Sequence, residues 1–508
     1  MIPGIVYLVG AGPGDTGLLT LRARELIELA DVMVYDNLIN DRLLDWCKSD
    51  CEKMYVGKKP GFHAISQDEI EEIIVRHAKE GKTVVRLKGG DPFIFGRGGE
   101  EAQRLVEDGI KFEIVPGVTA ALASAAYAGV PLTHRDFSSS ISFLTGHEDP
   151  EKHEFRISFH AFAKNAETLC IYMGMGQLER ITAELMSGGL SPDTPVVVVQ
   201  RATLPQQRSL LSTLSKVVEE CRIKDLGSPS VIIVGEASKF YNKMGWFEKR
   251  PLFGKRIVVT RDRDQSGDLS YKLEAAGAEV LELPLIQIKR VNNQEAKTAI
   301  FSEFGTYEWI IFTSSNGVKY FFHNLLETFP DIRAFGGLKI AAVGEETAKA
   351  IKKYNLTVDL VPEIADAESL ADALISYESI EHLKILVITG NRNRDLMVKK
   401  LEDAFAIVDI FSVYRTDAFD ITEHPAAKSF RKDGADVVTF TSPSTVKSFV
   451  DQAASLQLET GAKKPISCSI GPITSESMRK AGVPVELESK SQSIDGMIQA
   501  IIKKINPM

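Results

Sequence analysis

Phe312-Thr313-Ser314, followed by Val318-Lys319, recurs 128 positions later as Phe440-Thr441-Ser442 followed by Val446-Lys447. Arg256-Ile257-Val258-Val259 recurs at the same offset as Lys384-Ile385-Leu386-Val387, and Gly344-x-x-Thr347 returns 127 positions on as Gly471-x-x-Thr474. A period this long is no solenoid; it predicts two similar units of about 125 residues in the second half of the chain. Each matched Ser/Thr cluster follows an apolar run, at the sheet edge where open α/β folds bind ligands. Capping of the next helix explains any one of these hydroxyls, but two such edges facing each other would make a cleft.

Short apolar runs alternate with segments of helical period along the whole chain, which predicts α/β layers throughout. Strands are expected over Val84–Leu87, Val196–Val199 and Val231–Val234, and helices over Thr20–Ala30 and Gln67–Lys79. The pattern breaks near residues 240–255, where Trp246, Phe247, Pro251 and Phe253 gather before a strand restarts at Ile257-Val258-Val259-Thr260. So aromatic a stretch predicts a packed connector, not a Gly/Ser tether. With 508 residues, 44% hydrophobic and 25% charged, the chain can fill several cores without disulfides or metal staples.

The formal charge of −9 divides into −5 for residues 1–250 and −4 for residues 251–508. Neither half is a basic arm, so nucleic acid and acidic membranes are excluded as default partners, and a polyanionic small molecule would need a locally basic pocket. Five cysteines, with only Cys47 and Cys51 close together, read as reduced thiols of a cytoplasmic protein. The chain start runs straight into the strand-like Ile5–Val9, and the longest apolar stretch, residues 120–132, is too short to span a bilayer. His134 and His147 lack a third ligand, so no metal is expected.

Three loops in the first half could hold a ligand. Gly10-Ala11-Gly12-Pro13-Gly14-Asp15 follows the first strand, with Asp36 ending the second, which suggests a dinucleotide fingerprint and a nicotinamide-dependent dehydrogenase. Against this, Pro13 removes an amide that a pyrophosphate would use, and the Asp15 carboxylate would repel phosphate. A nucleoside without phosphates suits the loop better. The second block is Arg86-Leu87-Lys88-Gly89-Gly90-Asp91-Pro92-Phe93-Ile94-Phe95-Gly96-Arg97-Gly98-Gly99-Glu100-Glu101, in which Gly89-Gly90 admits close backbone approach and Asp91 can accept hydrogen bonds from a ribose or an amino group. Pro116-Gly117-Val118-Thr119-Ala120 leads into a helix of small residues, with Pro131-Leu132-Thr133-His134-Arg135 and Thr145-Gly146-His147 beyond it.

Together these blocks, from about residue 4 to residue 245, resemble the tetrapyrrole methylases, and within them the uroporphyrinogen-III C-methyltransferases. The resemblance implies S-adenosyl-L-methionine as methyl donor, contacted by Pro13, Gly89, Gly90, Asp91, Ile94, Thr119, Ala120, Met173 (in Tyr172-Met173-Gly174) and Ala202, where the family often has Gly. It gives Asp36 the place of a proton acceptor and Lys58, in Val56-Gly57-Lys58-Lys59, that of a proton donor. Read without the resemblance, Asp36 is a capping residue and Lys58 a surface charge. The stretch from Glu151 to Ala163 lacks the family's usual Trp.

From about Gly254 onward the chain resembles uroporphyrinogen-III synthase, through Ile311-Phe312-Thr313-Ser314-Ser315-Asn316-Gly317-Val318, Val343-Gly344-x-x-Thr347-Ala348, Val413-Tyr414-Arg415-Thr416, Thr441-Ser442-Pro443-Ser444 and Ile470-Gly471-Pro472-x-Thr474. The resemblance implies two interleaved, duplicated, doubly wound α/β lobes, one of residues 255–283 with 417–508 and the other of 284–416. The reaction it implies is closure of hydroxymethylbilane with inversion of the last pyrrole. For that task Ser314, Thr347, Ser442 and Thr474 are expected to bind substrate, and Tyr414 is the candidate acid at the leaving hydroxyl. The alternative for Tyr414 is a ring packed on the connecting strands.

The domain plan is therefore 1–245, a connector 246–254, and 255–508. The function expected is a bifunctional enzyme making uroporphyrinogen III and methylating it twice to precorrin-2, on the siroheme and cobalamin branch. Its partners would be small tetrapyrroles, and it would form a homodimer through the methyltransferase half. Rival readings are a methylase of a precorrin, diphthine or ribosomal RNA, or a nicotinamide-dependent dehydrogenase with a ligand-binding C-terminal module.

Overall fold

The computed structural model describes residues 4–57, 65–146, 157–165, 167–260, 263–391 and 395–507. They form two compact units: residues 1–256 with 272–279 and 502–508, and residues 257–271 with 280–501.

The first unit holds two five-stranded sheets. Strands β1 (Ile5–Gly10), β2 (Val32–Tyr35), β3 (Glu52–Tyr55), β4 (Val84–Lys88) and β5 (Lys111–Val115) line up in the order β3-β2-β4-β1-β5, every pair parallel. β4 is buried along its whole length, as expected of a strand covered by helices on both faces. The second sheet takes β6 (Ile141–Thr145), β7 (Thr168–Tyr172), β8 (Pro195–Gln200), β9 (Arg208–Thr213) and β10 (Ser230–Val234) in the order β6-β7-β10-β8-β9. Only β6 and β7 run parallel; the other pairs are antiparallel. The anticipated helices form at Leu21–Leu29, capped by the Thr20 hydroxyl, and at Gln67–Lys79, opened by a Ser66/Glu69 capping box.

The aromatic stretch does pack. Phe247 is 3% exposed, its ring lies 4.7 Å from that of Tyr127, and Trp246 Nε1 donates to the Ala126 carbonyl at 2.9 Å. Arg250 stacks over both Trp246 and Phe247.

In the second unit, β11 (Arg256–Val259), β12 (Glu279–Glu282), β13 (Ile286–Arg290), β14 (Trp309–Phe312), β15 (Lys339–Ala342), β16 (Lys384–Gly390), β17 (Ile407–Ala418), β18 (Val437–Phe440), β19 (Ile466–Ser469) and β20 (Leu487–Glu488) form two sheets. Their orders are β12-β11-β18-β19-β20 and β13-β17-β16-β14-β15. This is the interleaved arrangement that the synthase resemblance implies, and neither sequence repeat forms a sheet of its own. The first repeat puts β11 and β12 in one sheet and β14 and β15 in the other; the second repeat does the reverse, with β16 and β17 in the sheet of β14 and with β18 and β19 in the sheet of β11. Each lobe is thus half of one repeat completed by half of the other. The crossover is made by β13 and the end of β17, which run antiparallel with Arg290 opposite Tyr414.

Among the described residues no helix is long and apolar enough to cross a membrane, and no cluster of three His, Cys, Asp or Glu side chains could hold a metal ion. All five cysteines are free thiols. Burial pushes the Cys51 thiol up to about 12 and raises Cys47 as well, so neither is a thiolate at neutral pH.

Candidate active sites

In the first unit the three glycine-bearing loops meet at the C-terminal edge of the parallel sheet. Gly12 and Gly90 exchange amide-to-carbonyl hydrogen bonds of 3.1 and 2.7 Å. Gly90 holds φ +67°, a left-handed backbone that favours glycine, and a Cβ there would stand 3.6 Å from Ala120 N and 3.7 Å from Thr119 Cα. Asp91 ties the second loop to the third: Oδ1 accepts from Phe93 N at 2.8 Å and Oδ2 from Gly117 N at 3.0 Å. Sequence reasoning expected this carboxylate to face a ligand; its first task in the fold is to hold two loops, with the second lone pair of each oxygen left over.

The first loop does not make a dinucleotide site. A 3-10 turn, Thr16–Leu18, stands between it and the helix, and Asp15 caps that turn by accepting from Gly17 N at 2.8 Å. Tyr127 OH donates to the other Asp15 oxygen at 2.6 Å. The helix N-terminus a pyrophosphate would need is therefore not presented by this loop.

The second sheet completes the site. Asp15 N donates to Thr203 Oγ1 at 2.9 Å, which sets Pro13 and Gly14 beside the turn that carries Ala202. Tyr172 OH pairs with Thr119 Oγ1 at 2.7 Å and accepts from Ala121 N at 3.0 Å, so a residue ending β7 caps the helix Ala120–Ala128. The Tyr172 and Phe95 rings lie 5.0 Å apart, which brings the end of β7 against the loop that follows β4. These contacts join the loops that carry Pro13, Gly89, Gly90, Asp91, Ile94, Thr119, Ala120, Met173 and Ala202, which come from both sheets.

Two signals were missed in the sequence. Phe95, Arg97, Met173, Arg201 and Thr203 all hold positive φ without being glycine, a strain that gathers in the loops of this site. Leu38, Phe93, Phe95 and Met173 are also exposed at 58, 52, 40 and 47%, an apolar rim on the loops of this site. Neither Leu38 nor Phe93 stood out by residue type.

Asp36 sits directly after β2. Its Oδ1 accepts from Leu38 N at 3.0 Å, the local turn that sequence reasoning allowed as an alternative, and its Oδ2 pairs with Arg86 at 3.2 Å. Lys58 and His147 lie outside the described residues.

In the second unit the capping alternative holds for two hydroxyls. Ser314 Oγ accepts from Gly317 N at 3.0 Å at the start of the helix Ser315–Thr328, and Ser442 Oγ accepts from Thr445 N at 3.4 Å at the start of Pro443–Asp451. Ser314 has a second contact: its Oγ lies 3.0 Å from Tyr414 OH. Tyr414 stacks near Tyr320, with centroids 6.3 Å apart, and its ring crosses Gly390, where a Cβ would fall 2.6 Å from Cε2 and Cζ. So Tyr414 is packed on the connecting strands, yet its hydroxyl is turned to Ser314. Thr347 and Thr474 are buried, 5% and 3% exposed, in the first turns of Glu345–Lys352 and Pro472–Lys480. Those two helices open at Gly344 and Gly471, which cap with no side chain.

Residues 5–218 match the family model for tetrapyrrole (corrin/porphyrin) methylases, and residues 267–499 match that for uroporphyrinogen-III synthase HemD. The porphyrin biosynthesis protein HemD of Ruminiclostridium josui is 37% identical over 500 residues, 98% of this chain and 98% of its own length. A uroporphyrinogen-III C-methyltransferase of Bacillus subtilis (strain 168) is 39% identical over 358 residues, covering 70% of this chain and 73% of that protein. The S-adenosyl-L-methionine-dependent uroporphyrinogen III methyltransferase of Methanosarcina barkeri is 48% identical over 242 residues, 48% of this chain and 95% of that one. With the glycine loops gathered in the first unit and the duplicated lobes in the second, the chain belongs to the tetrapyrrole methylases in its N-terminal half and to the uroporphyrinogen-III synthases in its C-terminal half, a fused enzyme of tetrapyrrole biosynthesis.

Proposed function

We propose that the second unit closes hydroxymethylbilane to uroporphyrinogen III and that the first methylates the product twice to precorrin-2, on the branch that leads to siroheme and cobalamin. The observation that carries this reading is the joining of Gly90, Asp91, Thr119 and Tyr172 into one neighbourhood in the same chain as the Tyr414–Ser314 pair. S-adenosyl-L-methionine supplies, when bound, a methyl group already activated as a sulfonium. The residues present fit it: the glycine backbone and Pro13 leave room for a nucleoside, Asp91 has free lone pairs for hydroxyl or amino donors, and the loop carries no phosphate cradle. Alignment is the chief contribution of such a site. The apolar rim of Leu38, Phe93, Phe95 and Met173 stacks the pyrrole ring, and Asp36 accepts the proton that the methylated, cationic carbon must lose. Lys58 is proposed as the complementary donor.

In the synthase unit the bilane ionises readily, so the protein's task is to hold the folded chain in which the last ring has turned over. The amides of Glu345 and Glu346 after Gly344, and that of Ile473 behind Pro472, with Thr347, Thr474, Ser314 and Ser442, bind the substrate's carboxylates. Tyr414 donates to the departing hydroxyl.

The test is direct. Hydroxymethylbilane given to the whole protein yields uroporphyrinogen III alone, and precorrin-2 when S-adenosyl-L-methionine is added. Formation of isomer I only, or of a methylated product of another substrate, overturns the reading. We further propose domains of 1–245 and 255–508 joined by the connector, cytoplasmic location, and a homodimer through the methyltransferase half. Cleavage near residue 250 is expected to leave two soluble pieces, the first dimeric by sedimentation, with residues 272–279 and 502–508, which group with the first unit, remaining on the second piece.

Asp91→Ala removes two loop clamps together with a ligand acceptor. It is expected to weaken S-adenosyl-L-methionine binding by about ten- to a hundredfold, by the worth of a charge-assisted hydrogen bond, and to lower the melting point of the first unit. Uroporphyrinogen III formation stays as it was. Calorimetry with the cofactor checks it, and an unchanged dissociation constant refutes the assignment.

A further inference from the structure

Next to Asp36 lies a buried ion cluster to which the reaction as proposed gives no task. The Arg86 and Lys88 side chains on β4 are 4% and 5% exposed, and both bond to Glu101, 1% exposed, on the helix Gly98–Glu107. Glu101 Oε1 accepts from Lys88 Nζ at 2.7 Å, from Arg86 Nε at 3.2 Å and from Gln67 Nε2 at 3.3 Å, while Glu101 Oε2 is buried with no hydrogen-bond partner. The other guanidinium nitrogens of Arg86 donate to the Leu87 carbonyl at 3.1 Å and to Asp36 Oδ2 at 3.2 Å. Asp36, 22% exposed, is where the cluster reaches the site.

Burying ion pairs is a weak source of stability, because desolvation consumes what the attraction returns. A carboxylate with three donors on one oxygen and none on the other is a poor stabiliser. Its geometry does serve to clamp Arg86: the guanidinium is gripped through Nε and through the Leu87 carbonyl, so the nitrogen facing Asp36 has one direction available. The charges also balance while Asp36 is ionised, two carboxylates against Arg86 and Lys88. With a proton on Asp36 the cluster holds one more positive than negative charge, which favours passing the proton to solvent at the exposed edge of that carboxyl. An enzyme that methylates the same ring system twice needs its base reset between turns.

We propose that Arg86 and Glu101 are positioning residues for methyl transfer: Glu101 fixes the guanidinium, and Arg86 orients the Asp36 carboxylate and restores its charge after each proton transfer. This rests on Asp36 as proton acceptor. The charged groups around the cluster, among the described residues, are Lys88 beside Arg86 on β4, Glu71 bonded through Gln67 on the helix Gln67–Lys79, and Arg97 at the start of the helix that carries Glu101. The Tyr55 phenol, from β3, flanks the Asn37 backbone next to Asp36.

The test uses the whole protein, supplied uroporphyrinogen III and the pH profile of methylation. Glu101→Gln removes a negative charge and is expected to move the acid limb to lower pH, while Arg86→Met and Lys88→Met remove positive charge and move it to higher pH, by about one unit for Arg86. Arg86→Lys is expected to return the limb towards its original place without restoring the full rate. The substrate's own carboxylates titrate alike in every variant, so only differences count. Structural damage lowers rates but does not shift the limb in opposite directions. Limbs that stay put, or that move together in Glu101→Gln and Lys88→Met, overturn the proposal even if Arg86→Met fails to fold. Asp36→Asn separates the two levels: full methylation in that variant removes the proton-acceptor reading itself, whereas loss of methylation with unmoved limbs removes only the role of the cluster.

Discussion

Asp36→Asn is expected to lower methylation of supplied uroporphyrinogen III by about 10²- to 10⁴-fold, the usual worth of a positioned proton acceptor. The amide keeps an oxygen for Leu38 N, which Asp36 Oδ1 serves at 3.0 Å, so the local turn survives. It cannot take the proton from the methylated ring. Its other end turns an NH2 donor towards Arg86, which donates to Asp36 Oδ2 at 3.2 Å in the native protein. One guanidinium nitrogen of a nearly buried arginine then loses its acceptor. The cofactor's dissociation constant is expected to hold, since the Gly90, Asp91 and Thr119 loops make no bond to Asp36. Single-turnover methylation beside calorimetric binding measures both, and a wild-type rate in the variant would falsify the assignment.

Gly390→Ala is expected to shift the product of the second unit from isomer III towards isomer I. At Gly390 the register between β16 and β17 slips, and Tyr414 lies across the glycine. A Cβ would fall 2.6 Å from two ring carbons of Tyr414, a distance no real Cβ accepts, so the ring must swing off Ser314 Oγ, now 3.0 Å from its hydroxyl. Overpacking of this sort costs about 1–3 kcal/mol, which the unit should survive. Because the bilane closes to isomer I without help, a displaced Tyr414 alters the ratio of isomers and not only the rate. Tyr414→Phe keeps the ring and deletes the hydroxyl; if the hydroxyl assists departure of water, both variants lose isomer III. Loss in Gly390→Ala alone would make Tyr414 a wall of the cleft and not an acid. Chromatographic separation of the two isomers reads all of this, with methylation of added uroporphyrinogen III as the internal control.

The loops of the methyltransferase half were legible in the sequence because close backbone approach needs residues of one kind. Gly89-Gly90 next to Asp91 announces such an approach, and the fold supplies it. Tyr172 carries no signal in the sequence beyond its place before Met173, although its hydroxyl bonds Thr119 and Ala121 across the site. No local pattern identifies it, since that bond exists only when the end of β7 meets Thr119, the residue before a helix, 53 positions earlier. Arg86, Lys88 and Glu101 stand in one run of the sequence, but alternation along β4, a fully buried strand, does not say which charge meets which.

The repeat marks the boundary between the two kinds of knowledge. By itself the sequence determined that residues 256–508 hold two copies of one pattern, that each copy carries a Ser/Thr cluster and a Gly-x-x-Thr turn, and that the runs between are strands, because hydrophobic periodicity reports what a segment is. Only the tertiary structure shows the strand partners themselves, with each copy divided between two sheets as the synthase resemblance implies. β11 pairs with β18 and β14 with β16, so that Thr439 Oγ1 donates to the Val258 carbonyl 181 residues away. A strand apolar on both faces is satisfied by any parallel neighbour of the right length. The choice among such neighbours falls to the packing of whole sheets, and loop-closure entropy, which grows only slowly with chain length, does little to oppose the distant one.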